Sequence, residues 1–250
     1  MFDANLEPNL RALMRSLKNG TFKPHPLRRK YIPKEPGKFR PLGIPAVRDR
    51  VAQEVCRRLL EPIFERQFHP CSFGFRKRRG CHDALRAVVG FHRQGYTIVL
   101  DADIMGFFDN IPHKVIMNAL AEEVADSNIL GLVKKFLRSG VMENGVVHPT
   151  KMGTPQGGVI SPLLANIILN FLDWKLAEAG YRFVRYADDF VIVFKTKKQA
   201  REALTLVLSV LDELGLQVSP EKTKITTWER ATPSSGSIFR LTQGKCETSR

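Results

Sequence analysis

Two adjacent carboxylates inside a run of strand-forming residues constrain this chain more than any other feature. The run is RYADDFVIVF, Arg185–Phe194, preceded by Phe183 and Val184. Aromatic and β-branched side chains on both sides of Asp188 and Asp189 read as buried strand. Acids backed so closely by apolar strand are costly to desolvate unless something positive lies against them. A hairpin turn at Ala187-Asp188-Asp189 accounts for one of them, since Asp tolerates turn backbone. The second acid asks for a cation.

A second acidic strand lies upstream. IVLDAD, ending at Asp103, runs directly into the turn MGFFDNIP. Side chains alternate along a strand, so Asp101 and Asp103 share a face at its C-terminal end. If this strand and the hairpin lie side by side in one sheet, three carboxylates converge. Hard oxygen ligands of this kind suit Mg²⁺, with phosphate oxygens and water completing each octahedron. Two such ions about 4 Å apart activate a 3′-hydroxyl and stabilise a leaving pyrophosphate. Asp101 and Asp109 taken singly read as cap or turn residues. Asp103 with Asp188 and Asp189 is therefore the expected catalytic and metal-binding trio.

Charge points to the partner. The 250 residues carry a formal net charge of +14, which predicts a polyanion, most commonly nucleic acid. Placement supports this: Arg15 to Arg58 holds thirteen Lys/Arg against three Asp/Glu. Arg28, Arg29 and Lys30, then Arg76, Lys77, Arg78 and Arg79, form basic runs interleaved with Phe22, Tyr31, Phe39, Phe73 and Phe75. Some of these rings could stack on bases, while core packing claims most of them. The four cysteines show no C-x-x-C pair, which argues against a zinc site or a disulfide framework. No signal peptide and no bilayer-length apolar run is present, so a soluble cytoplasmic protein with no membrane partner is expected.

The apolar fraction of 43% and the length allow one large domain or two interleaved subdomains. Helical spacing is read at Asn5–Leu17, Arg48–Phe64, Pro112–Val124 (capped by Asp109 or Asn110), Ser161–Leu176 and Lys198–Leu214. A Pro-rich extended segment, a strand at 96–101 and a hairpin at 182–194 lie between them. Hairpins and helices in irregular order give α+β, not an alternating βαβ pattern.

YADD between strands, DADIMGFFDNI upstream and GTPQGGVISPLLANI between them resemble three successive motifs of reverse transcriptases. The form is that of group II intron-encoded proteins and their bacterial relatives. YIPKEPGKFRPLGIPAVRDRVAQEVCRRLLEPIFE, SFGFRKRRGCHDAL and LGLQVSPEKTKI extend the resemblance, in the family's order, from about Leu6 to Thr226. It implies a right-hand polymerase of fingers and palm, with a small antiparallel palm sheet packed on helices. Residues 1–95 would form the fingers, 96–230 the palm with fingers elements interleaved, and 231–250 an irregular tail with no thumb.

Carried over by position, Asp103 and Asp188 bridge two Mg²⁺ ions, with Asp189 in support and Mn²⁺ as a substitute metal. Phe108, or Phe107 beside it, stands where an aromatic gate disfavours a ribose 2′-hydroxyl. Lys38 and Arg40 match residues that hold the triphosphate. Gln156 and Gly157 match a loop against the incoming nucleotide and template, where Gly permits close backbone approach. Lys222 resembles the lysine that protonates pyrophosphate. The implied activity is RNA-directed DNA polymerisation with dNTPs on an RNA template and primer–template duplex. The resemblance also implies a role in intron splicing and retrohoming, with intron RNA as a further partner. Two alternatives stand beside it: an RNA-binding, maturase-like splicing factor with little polymerase activity, and a reverse transcriptase tied to CRISPR adaptation or defence. Oligomeric state is left open.

Overall fold

The computed structural model describes residues 5–35 and 37–228, without the side chains of Lys34, Glu35 and Lys38. The expected tail at 231–250 lies outside the described residues. In chain order the elements are α1 (Leu6–Lys18), β1 (Leu27–Glu35), β2 (Lys38–Ile44), α2 (Val47–Phe64), α3 (Cys81–Arg93), β3 (Ile98–Asp103), α4 (Phe107–Asn110), α5 (His113–Ala121), α6 (Ser127–Leu137), β4 (Val141–Glu143), β5 (Val146–His148), α7 (Ser161–Glu178), β6 (Arg182–Tyr186), β7 (Asp189–Phe194), α8 (Lys197–Glu213) and β8 (Lys224–Thr227). This is the α+β mixture the sequence predicts. No helix among the described residues is long and apolar enough to cross a membrane.

Among the described residues the backbone forms two compact units, each drawn from two stretches of chain: one within Met1–Phe64 and Phe108–Leu164, the other within Glu65–Phe107 and Ala165–Arg250. In the first, β1 and β2 pair as an antiparallel hairpin. β1 also takes β4 in parallel, and β4 pairs back with β5, giving the order β2-β1-β4-β5. Asn144 and Gly145 turn β4 into β5 with φ of 50° and 82°, the left-handed pair a tight hairpin needs. That Asn-Gly pair is the only local signal of the hairpin, because three-residue strands are too short to show a period. Hydrogen bonds between residues distant in sequence add bracing: Lys135 Nζ donates to the carbonyls of Gly20 and Phe22 at 2.7 and 3.0 Å.

The second unit is an antiparallel sheet, β6-β7-β3-β8, with helices on it. Alternation along β3 sends Val99, Asp101 and Asp103 to one face and Ile98, Leu100 and Ala102 to the other. Cys81, Ala84 and Val88 of α3 pack on the first face against Val99, Val184, Val191 and Val193. This packing seats α3 on the sheet. α8 packs on β3, β7 and β8 through a stripe that includes Ala203, Val207, Val210 and Leu211, all buried. Burying each valine or leucine of that stripe stabilises by about 1.5–3 kcal/mol.

Two local expectations differ from the structure. Asp109 and Asn110 do not cap the following helix; they complete the short helix α4, and α5 starts at His113 with Pro112 at its N-cap position. The amides of Thr154 and Gly153 donate to the carbonyls of Phe108 and Ile111, both at 2.7 Å, and this tie fixes residues 108–111. Asp101 is no turn residue either. It lies within β3, opposite Lys224 of β8 and Val191 of β7.

His69 lies in the second unit between the rings of Trp174 and Phe183, with centroids 5.0 and 4.9 Å away. Its Nδ1 accepts from the Cys71 amide at 3.1 Å. Burial, aided by the guanidinium groups of Arg185, Arg76 and Arg79 and opposed by Asp173, holds the imidazole below its ordinary 6.5. The unfolded chain therefore takes up a proton that the folded one refuses. This contribution to stability is complete above about pH 6.5 and declines as pH falls below it. The melting temperature should drop between pH 7.5 and 5.5, and His69→Phe should make that drop shallower. An equal drop in both proteins, measured by thermal melts across pH, would remove His69 from the account.

Candidate functional site

The register of β3 against β7 decides where the acids go. Asp103 lies directly opposite Asp189, and Asp101 opposite Val191. Tyr186 pairs with Asp189 across the hairpin, leaving Ala187 and Asp188 as a two-residue turn. The strand and hairpin thus share one sheet, and Asp103, Asp188 and Asp189 come to the same end of it. Like charges directly opposite one another destabilise a sheet. The cation this demands is Lys222, whose Nζ lies 2.8 Å from Asp103 Oδ2. Segment 217–222 is laid along the end of β3 by backbone bonds: Met105 N to Gln217 O at 2.8 Å, and Ser219 N to Asp103 O at 2.7 Å. The pair is part-exposed, with side-chain exposures of 39% for Lys222 and 19% for Asp103. Water reaches both groups.

Among the described residues, no group of three or more His, Cys, Asp or Glu side chains is gathered closely enough to hold a metal ion. The donor chemistry does fit a hard divalent cation: carboxylates on directly paired strands, with an ammonium bound where positive charge is needed. Asp103, Asp188 and Asp189 are the residues that could hold one.

The nucleotide-binding candidates other than Lys222 belong to the first unit, where backbone hydrogen bonds tie most of them to one loop. Lys38 opens β2, and Arg40 pairs with Ile32 in the same hairpin. Near the end of β2, the Gly43 amide donates to the Gln156 carbonyl at 2.8 Å. Gly157 has φ of 108°, and a Cβ there would sit 3.0 Å from the Gly43 carbonyl oxygen, so the close approach that glycine allows is used. The Val159 amide donates to Gln53 Oε1 of α2 at 2.7 Å. Thr154 Oγ1 donates to Ser161 Oγ, which donates to the Pro155 carbonyl, at 2.8 and 2.9 Å. The Thr154 amide bond to Phe108 joins the aromatic candidate to the same loop. Phe107 is a core residue, 2% exposed, whereas Phe108 is half-buried.

The basic candidates divide. Arg28 and Lys30 are exposed on β1 and Arg29 is half-buried. Lys77 and Arg78 are exposed, beside a Phe75 ring that is 49% exposed. Arg76 differs from expectation. Its guanidinium is buried, binds Glu65 at 2.8 Å and the carbonyls of His69 and Ser72 at 2.9 and 2.8 Å, and lies over the Phe68 ring. Arg79 is half-buried and donates to the Pro70 carbonyl. The run of four therefore presents two outward cations, because the loop needs the other two to satisfy its own carbonyls.

Sequence reasoning missed Gln53, Thr154 and Ser161, which hold the loop, and Arg185, Asp173 and Asn166, which lie buried behind the hairpin. The one available signal was a charged residue, Arg185, inside an otherwise apolar strand.

The profile described as reverse transcriptase (RNA-dependent DNA polymerase) matches residues 32–242. Protein YkfC of Escherichia coli is 36% identical over 269 aligned positions, covering 90% of this chain and 69% of YkfC. Group II intron-encoded protein LtrA of Lactococcus lactis subsp. cremoris is 41% identical over 186 residues, covering 73% of this chain and 31% of LtrA. The chain thus spans under a third of LtrA. A solved telomerase from Candida albicans, with a fragment of telomeric RNA, superposes with a TM-score of 0.63 at 16% identity. It covers 84% of this chain and 42% of its own, a likeness of fold. The chain belongs to the reverse transcriptase (RNA-dependent DNA polymerase) family, in its group II intron type.

Proposed function

We propose that the chain is the fingers and palm of an RNA-directed DNA polymerase that adds dNTPs to a primer on an RNA template. Residues 1–95 would supply the fingers and 96–230 the palm with fingers elements interleaved, in the cytoplasm, with intron RNA as a partner in splicing and retrohoming. One observation carries this reading: the register that sets Asp103 opposite Asp189 with Asp188 in the adjoining turn. We assign two Mg²⁺ ions to these acids, where they would activate the primer 3′-hydroxyl and stabilise the leaving pyrophosphate.

The chain's own residues supply the rest. Lys222 Nζ lies 2.8 Å from Asp103 Oδ2, where an amine donor would serve a departing oxygen. Arg40, with Lys38 on the same strand, would bind triphosphate oxygens through charge-assisted hydrogen bonds. The loop at Gln156–Gly157 is braced against β2, so its backbone can line a nucleotide without reorganising. Phe108 supplies the ring that would crowd a ribose 2′-hydroxyl.

A second reading, an RNA-binding splicing factor with little polymerisation, is favoured by the Lys222–Asp103 pair, which keeps one acid engaged. Primer extension on RNA and DNA templates with Mg²⁺ separates the two. Under the polymerase reading, Asp103→Asn and Asp188→Asn each lower extension by more than about 100-fold and leave RNA affinity within about twofold. Wild-type chain that binds RNA but extends nothing would favour the splicing-factor reading.

Two further outcomes follow from the geometry. Lys222→Met removes a competing cation, so half-saturation by Mn²⁺ should occur at a concentration lower by up to about fivefold, the most that a part-exposed ion pair is worth. Unchanged or weaker Mn²⁺ binding by titration would count against shared occupancy of Asp103. Replacing Lys77 and Arg78 with Gln should reduce the log–log salt dependence of RNA binding by about 1 for each phosphate these side chains neutralise. Arg76→Met should leave that slope alone and lower the melting temperature instead. The reverse pattern would mean that Arg76 leaves Glu65 for a phosphate.

A further inference from the structure

The β6–β7 hairpin turns on only two residues, and the first of them, Ala187, has φ of 59°. Asp188 is not among the residues with positive φ. A turn of this pattern ordinarily has glycine at its first central position. Alanine there is strained, and such strain persists only where the surroundings over-determine the backbone.

The surroundings are unusual for the interior of a sheet protein. Arg185, on the strand leading into the turn, is fully buried. Its Nε donates to Asp173 Oδ1 and Oδ2 at 2.8 and 3.0 Å, and its Nη2 to Oδ2 at 2.5 Å. Nη1 points elsewhere: it donates to Asn166 Oδ1 at 2.8 Å and to the Ala187 carbonyl at 2.9 Å. Asn166, also buried, uses Nδ2 to donate to the Gly74 carbonyl at 2.9 Å. Gly74 in turn lies directly against the turn, where a Cβ would lie 2.2 Å from the Ala187 nitrogen. A closed circuit therefore runs from Arg185 to Asn166, to Gly74, to Ala187 and back to Arg185.

We propose that Arg185, Asp173 and Asn166 are positioning residues that hold the strained Ala187 peptide and so fix Asp188 for metal binding. This rests on the metal-binding reading given above. A buried ion pair is weak grounds for stability, because desolvating both charges offsets their attraction. Here the pair orients a guanidinium whose remaining arm grips the residue before Asp188. The planar fork is essential, and lysine could not serve Asp173, Asn166 and Ala187 at once. Gly74 contributes by being small enough to sit against the turn.

The double variant Arg185→Met/Asp173→Leu tests this in the 250-residue chain. Replacing both charges with apolar groups of similar size leaves no unpaired buried charge, so folding should survive, with a melting temperature below that of wild type because Asn166 Oδ1 and the Ala187 carbonyl lose their donor. Mn²⁺ affinity, read by titration without nucleic acid or dNTP, should nevertheless fall by about tenfold, the scale of a hydrogen bond from a charged donor. Arg185→Lys should restore little of it. A folded double variant that binds Mn²⁺ like wild type would overturn the proposal while leaving the metal-binding reading intact. If wild type itself shows no Mn²⁺ binding that depends on Asp103 and Asp188, that reading fails and this inference falls with it. Should the double variant not fold, Asn166→Leu carries the test, since it keeps the Arg185–Asp173 ion pair and cuts the links from Asn166 to Arg185 and to Gly74. Loss of Mn²⁺ affinity there with a retained fold supports the circuit, and unchanged affinity overturns it.

Discussion

The pairing of β3 with β7 is the constraint on which the second unit depends. Side chains alternate with a period of two, so a slip of one residue would turn every inward group outward. Val99 would then leave α3, and Leu100 would leave the opposite face. The same slip would move Asp103 from its place opposite Asp189. Hydrophobic packing and the placement of the acids are thus specified together. The apolar half of the strand fixes the register, and the acidic end inherits its position from it.

The acids occupy the end of the sheet where β3 stops and the β6–β7 hairpin turns. A carboxylate pair in the apolar half would be prohibitively costly, whereas at the strand ends water and Lys222 moderate the repulsion. Behind the hairpin the environment reverses, with Arg185 and Asp173 fully buried. The turn is therefore wet where its acids are and dry where its backbone is held. The first unit follows a related scheme on a loop. Glycines at 43 and 157 let backbone meet backbone, and Gln53 of α2 captures the Val159 amide, so a segment without regular structure has fixed partners.

Much of this was legible in the chain itself. The helical spacing of α1, α2, α7 and α8, the hairpin around Ala187-Asp188 and the alternation of β3 all follow from local periodicity, which needs no knowledge of distant residues. Asp103 and Asp188-Asp189 stood out because carboxylates in strand contexts conflict with local preference, and such conflicts concentrate at functional sites. The β4–β5 hairpin was harder to see, since its strands are too short for a pattern and only Asn144-Gly145 marks it. The cap assigned to Asp109 or Asn110 differed because the partners that fix residues 108–111 are Gly153 and Thr154, some forty residues along the chain.

The sequence alone determined the kind of protein: an α+β chain, strongly basic, with three acids in strand and turn contexts and ordered motifs that resemble reverse transcriptases. Tertiary structure decided how individual side chains are used. Arg76 reads as one of four equivalent cations, yet it turns inward because Glu65 and two carbonyls lie within its reach. Lys222 lands on Asp103, 119 residues away in sequence, because segment 217–222 is hydrogen-bonded along the end of β3. Arg185 looks like a stray charge in a strand until α7 brings Asp173 and Asn166 to it. A side chain's local neighbours set its secondary structure, but its partner comes from whichever distant segment the fold packs beside it, and no local pattern encodes that choice.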